Sequence, residues 1–225
     1  LSWRNYGVGA CLTTTQTQVE YLKTIMGNLT YYEITPDIGD MFKKYDKPQP
    51  PLISIHTRDA RDTMKIIKSF YLKFPQFKWI TFRDLRNLPL NKFAEDLSES
   101  FLSVWVDDIS GFGTFPLESM KCGVPVIGKV PNLKPEWMTE ENGIWSYEFN
   151  QLVDILGNFV QKWLEDELPE ELYTDMEKTV KKYTKENFHN SVMSTFKAIN
   201  ERKTMEVRMN LEKLTPVTET EEVEE

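Results

Sequence analysis

The residues most suited to chemistry lie close together. Ser110-Gly-Phe-Gly113 is followed five positions later by a lone carboxylate, Glu118, set among Phe115, Pro116, Leu117, Ser119 and Met120. Gly111 and Gly113 let the backbone approach a bound group and take up positive φ. Pro116 suits a first helical turn, where its missing N–H costs nothing. Gly123 stops such a helix, and the apolar run from Val124 to Ile127 begins a strand. A loop that leaves a strand and enters a helix presents free N–H groups to anions. Gly111, Phe112, Gly113 and Thr114 are therefore the candidate backbone contacts to a ligand. Glu118, with apolar or small neighbours, is a poor choice for solubility, whereas a carboxylate so placed accepts two hydroxyl hydrogen bonds, as from a ribose. The plainer alternatives are that Glu118 only complements a helix dipole and that Phe112 and Phe115 fill the core.

At these residues the chain resembles the donor-binding half of GT-B fold glycosyltransferases, and most of all the large retaining family 4 (group 1). That family carries Glu-Gly-Phe-Gly and then Leu-Glu-Ala-Met-Ala-Cys-Gly-x-Pro-Val-Ile. The present chain reads Ser-Gly-Phe-Gly from Ser110 and Leu-Glu-Ser-Met-Lys-Cys-Gly-Val-Pro-Val-Ile from Leu117. Pro135-Glu-Trp137 and Asn142-Gly-Ile144 resemble two further stretches of the family in the same order. Upstream, residues 11–15, 18–26 and 32–40 are similar to the end of its first domain. The resemblance covers residues 9–165 and is strong at residue level over 110–143.

The resemblance implies a metal-independent hexosyltransferase that needs no cofactor and uses a nucleotide-diphosphate sugar as donor. It assigns the nucleotide ribose to Glu118 and the diphosphate to Arg58, which follows the first strand of the second domain. The arginine loop is altered: the chain has His56-Thr-Arg-Asp59, and the family's following lysine falls at Thr63, leaving Arg61 or Lys65 for that role. His56 sits where it could donate to phosphates, although a single histidine is more often a local hydrogen-bonding residue. Arg83 and Arg86 fall where the family's loops meet the base, or in a solvated turn. Eight positions before Glu118, where the family has a glutamate touching the transferred sugar, stands Ser110. Asp107 or Asp108 could replace that charge, so the expected catalytic residues are Asp108 and Ser110. The change also keeps open a non-catalytic binding or scaffold module, and a nucleotide-sugar epimerase of the same fold is a further alternative.

Composition narrows the rest. The 225 residues are 40% hydrophobic and carry a formal charge of −8. Five of the acids lie in 215–225, which holds no base, so only −3 remains for the body. Basic residues are scattered among acids, which excludes a nucleic-acid groove. Two histidines and two cysteines, far apart, do not meet the spacing of a zinc site. Cys11 and Cys122 read as small buried hydrophobes of a reduced, cytoplasmic protein. No run is long and apolar enough to cross a bilayer, which leaves peripheral membrane association open.

The elements that must position these residues alternate. Breaker-rich 47–51 reads as a linker. After it come strands at 52–55, 77–82, 101–106, 124–127 and 143–146, with helices between them. Asp59 is expected to cap a helix whose inner face carries Ala60, Met64, Ile67, Tyr71 and Phe74. The expected fold is a Rossmann-like α/β parallel sheet with helices on both faces, the C-terminal half of a GT-B fold, ending in amphipathic helices. Residues 1–47 are expected to be the last part of the acceptor-side domain, 52–200 the nucleotide-sugar domain, and 215–225 a disordered acidic tail. The chain is expected to be part of a longer protein whose missing N-terminal domain takes a glycan or other acceptor.

Overall fold

The computed structural model describes residues 3–27 and 29–214; the tail expected to be disordered, 215–225, lies outside the described residues. The chain opens with β1 (Ala10–Thr13), α1 (Gln16–Met26) and β2 (Thr30–Glu33), and the two strands pair in parallel as a small separate sheet. The main layer follows as β3 (Leu52–Thr57), α2 (Ala60–Lys73), β4 (Thr81–Asp84), α3 (Leu90–Glu99), β5 (Leu102–Val106), α4 (Thr114–Lys121), β6 (Val126–Lys129) and β7 (Ile144–Ser146). Its five strands lie in the order β4-β3-β5-β6-β7, every neighbouring pair parallel. Three helices end the chain: α5 (Leu152–Leu164), α6 (Glu170–Val180) and α7 (Lys185–Leu214).

Strands buried on both faces need apolar or internally paired side chains throughout, and β5 (Leu-Ser-Val-Trp-Val) is buried at all five positions. Its one hydroxyl, Ser103 Oγ, lies 2.7 Å from Ser119 Oγ of α4. The faces are read from β3, where side chains alternate. Thr57 Oγ1 is 2.7 Å from Thr63 Oγ1 of α2, whereas Ser54 bonds the Asp96 carbonyl and Ser100 at the end of α3. Helices therefore cover both faces of the sheet, and His56, in phase with Ser54, points to the α3 side.

Asp59 caps α2 as expected, accepting from the Arg61 N–H at 2.8 Å. The inner face of α2 agrees with the expected one at Tyr71 and Phe74, which pack against the core, and differs before them. Thr63, Ile66 and Phe70 are buried, while Met64 is 64% exposed. The buried Thr57–Thr63 hydroxyl pair sets the phase, and a threonine does not advertise itself in a hydrophobic pattern. The strand expected at 77–82 also shifts to Thr81–Asp84, because 75–77 form a 3-10 turn that tucks the Phe77 ring beside Phe70 and Phe74. At the end of α4, Gly123 N–H bonds the Met120 carbonyl and Val124 N–H the Ser119 carbonyl, so the helix closes and turns directly toward β6.

Helix α7 returns to the first sheet: it packs on β2, and Ser191 Oγ accepts from the Thr35 N–H at 3.2 Å. No helix among the described residues is long and apolar enough to cross a membrane.

The phase of α2 is directly testable. Replacing Ile66 with alanine should cost about 2–5 kcal/mol of unfolding free energy, against about 0.5 kcal/mol or less for Met64→Ala. Urea titration that ranked the two the other way would refute the packing described.

Candidate functional site

From β3 the chain leaves to one side to build β4, then crosses back to build β5 on the other side of β3. The loops after β3 and β5 thus diverge and open a crevice at the carboxyl ends of these two strands, the place where open α/β sheets take ligands. The two ends are tied together. Arg58 N–H donates to the Val106 carbonyl at 3.0 Å, and the Arg58 guanidinium reaches Asp107 at 3.4 Å. Arg58, the aspartates and the glycine loop are thereby brought into one place.

The loop 107–113 is held from inside. Asp107 Oδ1 accepts from the N–H groups of Ile109 (2.9 Å) and Ser110 (3.2 Å), and Ser110 Oγ accepts from Gly113 N–H at 3.0 Å. Asp108 pairs with Lys129 at the end of β6. The Phe112 carbonyl accepts from Trp137 Nε1 at 2.7 Å, and its ring meets Tyr183 edge-on. Gly113 caps α4 in the left-handed region, φ 73°, where a Cβ would also lie 3.0 Å from the Trp137 ring. Gly111 answers a different need. It does not have positive φ, but a Cβ there would meet Gln18 Nε2 at 2.5 Å, and its carbonyl accepts from Thr15 Oγ1 at 3.4 Å. The turn between β1 and α1 therefore abuts the glycine loop. At the head of α4 the N–H groups of Thr114 and Phe115 have no acceptor one turn back, and Pro116 has none to offer.

Phe115, Glu118 and Cys122 recur at three and four residues and share one face of α4. Phe115 stacks on His56 with ring centres 5.0 Å apart, and Phe93 of α3 meets both rings edge-on. Glu118 is partly buried, and among the described residues it has neither hydrogen-bond nor ion-pair partner. Burial raises its pKa from the ordinary 4.5 to about 7. His56 is also partly buried, and its Nδ1 is the one buried side-chain nitrogen or oxygen without a hydrogen bond among the described residues. Burial lowers the His56 pKa; Asp107 and Asp84 oppose that shift and Arg86 adds to it.

Of the remaining candidates only Arg86, whose charge reaches His56, is near this group, and each is engaged by an acid or an aromatic ring. The Arg61 side chain folds onto Asp59 at 2.6 Å. Lys65 lies 3.7 Å from Asp62 and above the Phe149 ring, on the α5 side. Arg83 is held by the buried Asp96 and by Glu99, and Arg86 by Asp84. An apolar groove of about 480 Å³ lies elsewhere, lined by Ile144, Ile155, Phe159 and Leu172 of β7, α5 and α6, and is bordered by none of the loop residues. Lys129 escaped the sequence reading. Its signal was a lone base closing an apolar strand, Val-Ile-Gly-Lys129.

No family model matches the sequence, and no curated protein matches it. Solved structures do match. TarM aligns with TM-score 0.65 and 14% identity over 86% of this chain and 45% of its own. The pneumococcal O-GlcNAc transferase GtfA, in complex with UDP and GlcNAc, aligns with TM-score 0.60 and 15% identity over 88% and 46%. The C-terminal domain of a glycosyl transferase group 1 family protein, LpcC from Francisella tularensis, aligns with TM-score 0.50 and 14% identity over 66% of this chain and 98% of that domain. The chain spans less than half the length of the first two and has the fold of a GT-B glycosyltransferase half.

The unpartnered carboxyl carries a signed pH dependence. A folded-state pKa of about 7 against 4.5 for the free carboxyl means that the folded protein binds the extra proton between those values. Stability should therefore be greatest below pH 4.5 as far as Glu118 is concerned, and fall by on the order of 2–3 kcal/mol as pH rises through 7. Glu118→Gln should remove that component. Denaturation at pH 5 and pH 8 showing the same slope in both proteins would refute the assignment.

Proposed function

We propose that the chain is the sugar-nucleotide-binding half of a retaining glycosyltransferase. The observation that carries this reading is Glu118: a partly buried carboxylate without a protein partner, on the face of α4 beside the switch-point crevice. Burying such a group without a partner is costly. A ribose diol that donates two hydrogen bonds would offset the cost. Arg58, the free N–H groups of Thr114 and Phe115, and the positive end of α4 would meet the diphosphate, whose negative charge grows as the glycosyl bond breaks. Pneumococcal GtfA was solved in complex with UDP and GlcNAc, which guides the choice of probes.

A sheet of two parallel strands is too small to bury both its faces. In the same part of the chain Trp3, Tyr6, Leu12, Tyr21 and Ile25 are exposed, as are Phe196, Met205 and Met209 of α7. In this reading these residues contact an acceptor-binding half, and transfer needs both halves.

A second reading, binding without transfer, is favoured by the charge map of the loop. Ser110 is bonded to Gly113 N–H, Asp107 to its own loop and Arg58, and Asp108 to Lys129, so no carboxylate stands unpaired where the family has its first glutamate. Asp108 has the fewest ties, since one ion pair holds its side chain, and is the residue proposed to supply negative charge to a developing oxocarbenium ion.

Calorimetry with UDP-GlcNAc, UDP-glucose, GDP-mannose and ADP-glucose should find one donor that binds. Glu118→Gln should weaken it by roughly 1.5–3 kcal/mol, with a gap that widens from pH 6 to pH 8 as the wild-type carboxyl ionises. Failure of all four donors to bind would overturn the proposal. Transfer is a separate matter, decided in an active protein carrying both halves: Asp108→Asn should lower turnover far more than donor affinity. Unchanged turnover would exclude Asp108, and absence of transfer from the wild type would leave binding alone.

A further inference from the structure

We propose that His56 is a binding residue for the nucleoside part of the ligand, its Nδ1 accepting a hydrogen bond from a base N–H or a ribose hydroxyl. The inference rests on the donor-site reading and adds to it a residue that the family pattern does not mark.

Four observations meet at this side chain. First, Nδ1 is buried and unbonded, while nearby polar groups are satisfied: Ser54 by Ser100 and the Asp96 carbonyl, Thr57 by Thr63, Ser103 by Ser119. An unmade hydrogen bond at a buried nitrogen costs stability and is kept where something else completes it. Second, strand alternation turns His56 to the α3–α4 side of the sheet, whereas Thr57 faces α2. Its ring lies flat against Phe115, one helical turn from Glu118 on the same face of α4. The two polar groups left without partners are thus both tied to Phe115, one by stacking on its ring and the other by lying one turn along the same helix. Third, the ring is clamped, stacked on Phe115 and met edge-on by Phe93, so its acceptor direction is set before any ligand arrives. Fourth, the charged groups around it are engaged among themselves: Asp84 with Arg86 and Asp107 with Arg58. The two carboxylates whose charge reaches the ring, Asp84 and Asp107, are thus already taken and do not hold a protonated imidazole. The ring is therefore neutral, with one acceptor nitrogen and one donor, and the proposal assigns the acceptor to Nδ1.

A neutral acceptor suits an N–H or hydroxyl and repels a phosphate oxygen, so the nucleoside is the chemistry it fits. The diphosphate falls to Arg58 and the head of α4.

Titrating the protein with UDP, GDP and ADP identifies the base, and the matching monophosphate serves as second probe. His56→Phe keeps a ring on Phe115 but removes the nitrogen. It should weaken diphosphate and monophosphate by the same factor, roughly tenfold. His56→Asn, which returns a polar atom near Nδ1, should recover part of the loss. Thermal unfolding of both variants checks that the fold is intact, and the Asn variant decides the matter if the Phe variant does not fold. Unchanged affinity in both His56 variants, with Glu118→Gln still weakened, overturns the role of His56 and leaves the site standing. A loss confined to the diphosphate moves His56 to the phosphates and equally refutes the proposal. Failure of wild type to bind any of the three nucleotides refutes the site and this inference together.

Discussion

Parallel pairing of β3 with β5 is the constraint from which the rest follows. Parallel strands cannot be joined by a tight turn, so the chain must travel through a helix between them and return on the same hand. Here it goes out to β4 and comes back across β3, so that two consecutive carboxyl ends face each other without a covalent link. The join is made instead by the Arg58 N–H to the Val106 carbonyl and by the Arg58–Asp107 ion pair. Arg58 therefore serves the sheet with its backbone and the crevice with its guanidinium. The glycine loop inherits its position from the same join, since it starts at the residue Arg58 holds.

The loop is tied down by its own hydrogen bonds. Its bonds run inward, from Asp107 to the next two N–H groups and from Ser110 to Gly113, and Trp137 fixes its middle from outside. The exceptions are Glu118 and His56. A helix that buries Phe115, Leu117, Ser119 and Met120 leaves Glu118 partly buried, and that burial raises its carboxyl to about 7. When paired groups surround unpaired ones, it is the unpaired ones that solvent or ligand must complete.

Much of this was legible in the chain itself. Alternating apolar runs and breakers marked the five-stranded α/β layer, and Asp59, Gly113 and Gly123 marked the turns at helix ends, because capping and turn chemistry are local. The face of α2 was misread for a physical reason. Ala60, Met64, Ile67, Tyr71 and Phe74 form a better hydrophobic stripe than Thr63, Ile66 and Phe70, and Tyr71 and Phe74 do pack on the core, yet a hydroxyl pair with Thr57 buries the second set and turns Met64 outward. Likewise 77–82 has strand-forming residues, but Phe77 is worth more in the ring cluster with Phe70 and Phe74 than in a ladder. The pairings Asp107–Arg58, Asp108–Lys129 and Arg83–Asp96 join residues 13 to 49 positions apart, and no local pattern specifies such partners.

The same locality explains why Gly111 was given the wrong reason. A glycine beside Gly113 suggests unusual φ, but the need at Gly111 is room, because Gln18 comes within a Cβ's reach of it. Gln18 is itself fixed by accepting from the N–H and hydroxyl of Thr14 at 3.0 Å. The first sheet thus presses its β1–α1 turn on the ligand loop, while Phe42 from the connecting segment packs edge-on against Phe93 beneath the His56–Phe115 stack. The first sheet and the segment after it thus each lean on one wall of the crevice, the β1–α1 turn on the glycine loop and Phe42 on the aromatic rings, so the geometry of the site is set by contacts from outside the five-stranded layer as well as from within it.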